Sequence, residues 1–264
     1  MKDFLSVRSR NATVRIGMLS DKLFNAANSA FSRSKSFFLD KAGIEIGGPS
    51  HFFTNKGLFP IYTLARSVDG CNFSSNTAWE TDIREGKTYK YFKDKLGYQY
   101  ICEGADVASI PKKQYDFLLS CNNLEHIANP LKAISNWLNL LKDGGAVVLV
   151  LPRKESNFDH NRPVTTFNHL LEDFKNNIKE DDLTHLDEIL LLHDLKYDPL
   201  AGSYNDFKNR SLDNFHNRCL HQHVFDFNLL EQICHYFELK IIAHKTLTSD
   251  HIVVAQKKME IPAS

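Results

Sequence analysis

The sequence predicts an α/β protein: one mainly parallel sheet with helices on both faces, an antiparallel last strand and a helical lid insertion. Three observations carry that prediction. Short, partly apolar runs at residues 43–46, 61–68, 98–102, 115–121 and 146–151 are mostly separated by stretches long enough to hold a helix. Strands that alternate with helical patterns pair in parallel and are buried on both faces. After residue 226 a helical pattern leads into two strand-like runs, 239–243 and 252–255, joined by a turn, so a hairpin closes the sheet.

The elements follow in chain order. Over residues 20–39, Leu23, Phe24, Ala27, Ala30, Phe31 and Phe37 recur at near-helical spacing with polar residues between them, so residues 1–40 read as an N-terminal helical segment. Residues 41–152 form the sheet-bearing core, in which Gly43-Ile44-Glu45-Ile46 is a strand that meets a tight turn at Gly47-Gly48-Pro49. Leu131, Ile134, Trp137, Leu138 and Leu141 line one face of a helix, and Lys142-Asp143-Gly144-Gly145 gives it a glycine exit. Residues 153–226 are rich in His, Asn and Asp, with helical spacing at 167–174 and 183–195 and no alternating strand. This stretch reads as a lid over the end of the sheet. Residues 227–264 supply the last helix and the closing hairpin.

Composition limits the function. With 264 residues, 42% of them hydrophobic and 24% charged, the chain buries one sizeable core, or one core and a smaller lid. Thirty-two basic residues balance thirty-two acidic ones, so no global field favours nucleic acid or an anionic membrane. A small molecule is the expected partner. Met1-Lys2-Asp3-Phe4-Leu5 lacks the apolar run of a secretory signal, and nowhere do eighteen uncharged apolar residues occur together. A cytoplasmic protein without membrane insertion is therefore expected. Cys71, Cys102, Cys121, Cys219 and Cys234 are scattered and never form a CxxC pair, which argues for buried thiols over a disulfide framework.

A strand that ends in glycines lets the backbone approach a ligand closely, and in an open parallel sheet the crevice lies just beyond the strand C-termini. Gly47-Gly48 lacks the GxGxxG spacing and the following lysine of a phosphate-binding loop, so alone it marks only a close approach. Asp69, placed at the end of the 61–68 run, supplies a carboxylate suited to a ribose diol. Asp106, beyond the 98–102 strand, is either a partner for a base edge or a turn aspartate.

Four segments together resemble the class I, Rossmann-like, S-adenosylmethionine-dependent methyltransferases, and more narrowly those of bacterial surface and capsular polysaccharide biosynthesis. They are Gly43-Ile44-Glu45-Ile46-Gly47-Gly48-Pro49-Ser50; Tyr115-Asp116-Phe117-Leu118-Leu119-Ser120-Cys121-Asn122-Asn123-Leu124-Glu125-His126-Ile127; Leu140-Leu141-Lys142-Asp143-Gly144-Gly145; and Phe158-Asp159-His160-Asn161-Arg162-Pro163-Val164-Thr165-Thr166-Phe167. The resemblance implies seven strands with the last antiparallel, and S-adenosyl-L-methionine as cofactor. It implies that Glu45, Gly47 and Gly48 meet the methionyl part, Asp69 the ribose and Asp106 the adenine, with Pro49 and Asn122 completing the set. Pro49-Ser50 stands where the wider superfamily has a third glycine.

Methyl transfer to a hydroxyl needs an aligned nucleophile and a base. His160 is the first candidate base, with Asp159 and His126 beside it in the catalytic set and Arg162 as a grip for phosphate. Equally, Asp159 to Arg162 can serve only to fold the lid entrance. His221 and His223 would share a face in an extended segment, where they line an acceptor pocket, bind metal or serve structure. No metal is expected: Asn122 occupies a position where a metal site would want an acid, and zinc spacing is lacking. The expected activity is O-methylation of a sugar, a sugar phosphate or a related metabolite, by a protein for which a homodimer is allowed. N-methylation, a phosphoramidate-type acceptor and a non-catalytic nucleoside-binding protein are the alternatives. A nicotinamide dehydrogenase is disfavoured because the turn lacks the dinucleotide fingerprint.

Overall fold

The computed structural model describes residues 30–259. The helix expected over residues 20–39 thus lies largely outside the described residues, which open with α1 (Ala30–Ser34) and a 3-10 turn (Lys35–Phe37). The other elements are β1 (Ala42–Ile46), α2 (Ile61–Leu64), β2 (Ser67–Asn72), β3 (Gly86–Phe92), β4 (Lys95–Ile101), β5 (Tyr115–Cys121), α3 (Pro130–Leu140) and β6 (Leu141–Pro152). Then come α4 (Phe167–Asn176), α5 (Leu186–Leu192), α6 (Tyr204–Leu212), α7 (Asn214–Asn217), α8 (Phe227–Tyr236), β7 (Lys240–Thr246) and β8 (Asp250–Gln256).

The eight strands form one sheet in the order β3-β4-β2-β1-β5-β6-β8-β7. Pairing is parallel from β4 through β2, β1 and β5 to β6, while β3 runs antiparallel to β4 and β8 antiparallel to both β6 and β7. This is the expected Rossmann-like α/β arrangement, with eight strands instead of seven. The additional strand is β3, whose Lys-Thr-Tyr-Lys-Tyr alternation buries Tyr89 and Tyr91 and leaves Thr88 and Lys90 outside.

Central strands read as continuous apolar runs because successive side chains enter opposite cores. From β6, Val147, Leu149 and Leu151 join the cluster under α3, α4 and α8, while Ala146, Val148 and Val150 join the aromatic cluster of Phe38, Phe53, Phe59 and Tyr62. Trp137 of α3 is fully buried and its Nε1 donates to the Gly104 carbonyl at 2.6 Å. Truncation of such a residue to alanine costs about 3–5 kcal/mol. α3 starts on Asn129, whose side chain accepts from Lys132 N, with Pro130 in its first turn. Residues 142–145, expected as its exit, lie inside β6, with Gly144 at φ 75°.

One strand sits elsewhere than expected. Residues 61–64 form a short helix and the strand runs from Ser67 to Asn72. Gly70 makes this possible: a Cβ there would enter the Tyr89 ring, so β2 is small and polar where β3 packs over it. After α4, which packs on the sheet face through Leu170, the chain continues through α5 to α7. This part has its own small core of Ile189, Ala201, Phe207 and Leu220 and no strand among the described residues. No helix among the described residues is long and apolar enough to cross a membrane.

Candidate active site

The ends of β1, β2, β4 and β5 converge on a cleft lined by Gly47, Asn72, Phe73, Trp79, Glu103, Gly104, Asn123, His126 and Arg218. Gly47 turns the chain at φ 83°, and a Cβ there would meet the Asn123 side chain. At Gly48 a Cβ would strike the Glu45 carboxyl group and the Tyr89 hydroxyl. Gly47 therefore opens the backbone to the cleft, whereas Gly48 makes room for the Glu45 and Tyr89 side chains packed behind the turn. The Gly48–Pro49 peptide bond is cis.

Glu45 is fully buried beneath this turn and accepts hydrogen bonds from the Tyr62 hydroxyl, from the Tyr89 hydroxyl at 2.7 Å and from Ser50 N at 3.1 Å. Burial pushes its carboxyl group up, against the pull of those bonds. Its bonds hold the loop, and it does not line the cleft.

Asp69 lies within β2, opposite Ile44, rather than beyond a strand end. It accepts from Tyr98 N and the Tyr115 hydroxyl, each at 2.8 Å, and does not line the cleft. The residue that β2 delivers is Asn72, whose Nδ2 donates to the Gly48 carbonyl at 3.0 Å and whose buried Oδ1 has no partner. β4 likewise delivers Glu103 and Gly104, while Asp106 sits on the exposed side of the turn. Glu103 pairs with Arg218 at 2.7 Å, and Arg218 also holds Glu180 at 2.7 Å and lies over the Phe73 ring.

A second, wider cleft of about 370 Å³ shares Gly47, Trp79, Asn123, His126 and Arg218 with the first. Asn122, Phe158, Asp198, Leu200, Arg210, Cys219 and His221 complete it. Asn122, at φ 47°, is exposed on this side. His126 donates from Nδ1 to the Leu220 carbonyl at 3.0 Å, and desolvation, helped by the nearby His221, pushes its imidazole down to about 3. It is a neutral group.

His221 has the opposite electrostatics. Its Nδ1 faces Asp159 Oδ2 at 2.5 Å, which leaves Nε2, 4.0 Å from Glu125 Oε1, as the nitrogen available to the cleft. Burial alone would lower this imidazole, but the Asp159 carboxylate outweighs it and the net shift is upward. Asp159 is held down at about 2, against its own burial, by His221 and Arg162. Glu125 is fully buried with neither oxygen hydrogen-bonded, and burial pushes it up to about 7.

The remaining expected site residues fall elsewhere. His160 binds the Asn157 carbonyl through Nδ1, lies 3.5 Å from Asp194 and packs on Tyr197, away from the cleft. Arg162 is only 1% exposed. It spends its donors on Asp159 at 2.9 Å, Glu188 at 2.8 Å and the carbonyls of His221 and Gln222. It ties the lid together and meets no phosphate there. His223 is buried in a separate cluster, its Nε2 donating to the Ala128 carbonyl at 3.1 Å. The arginines that reach the cleft are Arg210 and Arg218, which the sequence does not single out.

Fold and clefts define a protein of the open α/β class with a cleft at its strand ends. A family model described as a methyltransferase domain matches residues 54–243, and the chain belongs to that family. The match starts after the glycine turn and takes in β2 to α8. No curated protein matches the chain. Among solved structures, one described as a zinc-dependent alcohol dehydrogenase from Rhodobacter sphaeroides shares 12% identity over 87% of this chain and 88% of that one, with a TM-score of 0.51. A methyltransferase of Thermotoga maritima, described as a possible histamine N-methyltransferase, shares 13% identity over 97% of each chain, with a TM-score of 0.48. The CurJ carbon methyltransferase shares 11% identity over 84% of this chain at a TM-score of 0.43, and the chain spans 49% of its length. These likenesses are of fold.

The cofactor is S-adenosylmethionine. The residues present fit it: the Gly47 backbone forms a cradle that a Cβ would fill, Asn72 Oδ1 is a buried acceptor without a partner, and Phe73, Trp79 and Ile127 supply apolar cover.

Proposed function

We propose that this S-adenosylmethionine-dependent methyltransferase methylates a hydroxyl group of a sugar, a sugar phosphate or a related small metabolite, with His221 as general base. The observation that carries the reading is the Asp159–His221 pair on the wall of the wider cleft. Asp159 accepts the Nδ1 proton, so the lone pair resides on Nε2. A carboxylate that fixes the tautomer also stabilises the imidazolium formed when the base takes a proton. His126, held neutral, is unsuited to that charge change. A polyol is favoured by the cleft's polar groups, Asn122, Asn123, Asp198 and Arg210, set between Trp79 and Phe158. The resemblance of residues 158–167 to enzymes of surface polysaccharide biosynthesis supports the same choice.

When bound, S-adenosylmethionine supplies an electrophilic methyl carbon on a sulfonium centre. Gly47 and Asn72 hold the donor side of the reaction, and Asn123 lies where the two clefts meet. His221 Nε2 receives the acceptor proton as the new carbon–oxygen bond forms. Glu125, near 7, takes up part of the positive charge that results.

The test is S-adenosylhomocysteine formation over a panel of nucleotide-linked sugars, sugar phosphates and amines, with wild type and His221→Ala. Hydroxyl acceptors should turn over and lose roughly 10²–10⁴-fold in the variant. Turnover of amines alone, with little loss in His221→Ala, would replace this reading with N-methylation.

A further inference from the structure

On the far side of Glu125, three histidines from three parts of the chain turn toward one another. His169 projects from the first turn of α4, His185 precedes α5, and His223 lies in the extended segment before α8. Their ring centroids are 4.8, 5.3 and 5.8 Å apart, and each offers a nitrogen within 4.8 Å of the other two. Asp173, one turn along α4 from His169, brings a carboxylate oxygen 3.3 Å from His169 Nε2. We propose that His169, Asp173, His185 and His223 bind a zinc ion that cross-links three segments of the lid.

Donor spacing supports the assignment. Ligands about 2.0–2.1 Å from a tetrahedral zinc lie about 3.3 Å from one another. Here His169 Nε2 lies 3.0 Å from His185 Nε2 and 3.3 Å from Asp173 Oδ2, and His223 offers a nitrogen within 4.8 Å of both histidines. A network of hydrogen bonds between neutral imidazoles is the competing account. It leaves two buried atoms, Asp173 Oδ2 and His223 Nδ1, without partners. One cation satisfies both, and a buried carboxylate beside three imidazoles suits zinc in charge and softness.

The surroundings match a metal site as well. His223 donates Nε2–H to the Ala128 carbonyl, which fixes its tautomer and leaves the Nδ1 lone pair for an ion. The Asp173 carbonyl accepts from the Asn129 side chain at 2.9 Å, so α4 is already anchored to the residue that caps α3. With Asp173 beside the three imidazoles, four protein ligands would fill a tetrahedral shell, which makes the proposed ion structural. His223 N donates to the Glu125 carbonyl at 3.2 Å, which places the clamp directly behind the catalytic wall. This inference stands apart from the choice of methyl acceptor and does not need it.

The experiment uses tag-free, full-length protein, because a histidine cluster can strip nickel from an affinity resin. Mass spectrometry of the metal content should find about one zinc per chain, surviving dialysis. A chelator should remove it and lower Tm by about 10 °C, with recovery on adding zinc chloride. Cobalt substitution should give the visible absorption of a tetrahedral ion. His169→Ala and His185→Ala should lose the zinc, whereas His221→Ala, in the neighbouring cluster, should keep it. Wild-type protein whose Tm ignores both chelator and zinc chloride overturns the proposal without reliance on any variant folding. So does zinc that is lost in His221→Ala and retained in His185→Ala.

Discussion

His221 and His223 are two residues apart and both buried, yet their environments oppose each other. His221 meets a carboxylate, is pulled toward the charged form and lines a cleft. His223 meets a carbonyl and two other histidines, with the Asp173 carboxylate no closer than 3.7 Å to its Nε2, and burial pushes it down to about 3. Gln222 between them is fully buried, so the segment has no solvent side from which the two roles can be told apart. Burial alone acts on both imidazoles in the same direction. The partner charge decides which one can work as a base.

The strongest way to break this contrast is paired substitution. His221→Ala should lower kcat by roughly 10²–10⁴-fold with little change in cofactor affinity, measured by S-adenosylhomocysteine formation and calorimetry. His223→Ala should instead appear in thermal denaturation, as a loss of several degrees. If both variants lose rate equally and neither loses stability, the division of roles is wrong.

Asp159→Asn sharpens the electrostatic half of the comparison. A raised pKa at His221 means that the base is protonated at low pH, so kcat/KM should rise with pH through a value above the ordinary histidine range. Removing the carboxylate leaves burial and Arg162 opposed by Glu125 alone, so the limb should move to lower pH. The accompanying loss of rate should be roughly 10–100-fold. An acid limb that stays in place would transfer the titration to another group.

On the cofactor side, Asn72→Ala should weaken S-adenosylmethionine binding about tenfold, the worth of one well-placed hydrogen bond in a buried site. Asp69→Asn should act through stability, because its bonds to Tyr98 and Tyr115 lie within the sheet. The smallest expected effect is that of His160→Ala, within about threefold of wild type, as for a surface substitution away from the chemistry.

Much of the fold is legible in the sequence because period-two and helical patterns report burial directly. β1, β5, α3, α4 and α8 fall where the pattern puts them. The errors share a cause. β2 is built from Ser-Val-Asp-Gly-Cys-Asn, whose polar and small residues are dictated by Tyr89 packing over Gly70, a contact with a residue nineteen positions later. The more apolar 61–68 run attracts the strand assignment, and Asp69 then displaces Asn72 as the expected ribose contact. β3 was open to detection, since its tyrosines alternate with polar residues. The cleft arginines were not. Arg210 and Arg218 come from helical lid segments whose orientation depends on the Asp159–Arg162–Glu188 network. Single histidines are equally mute, and only folding separates a base from a ligand.

The place of β8 has a consequence for biosynthesis. It occupies an interior position, pairing with β6 on one side and β7 on the other. β6 ends at Pro152 and β8 at Gln256, so a little over a hundred residues must emerge before the β6 edge is covered. At about 5–20 residues per second, the Ala-Val-Val-Leu-Val-Leu run stays unpaired on that side for roughly 5–20 s on the ribosome. An apolar edge exposed for that long is a template for aggregation. The nascent chain therefore calls for chaperone cover until its final hairpin arrives.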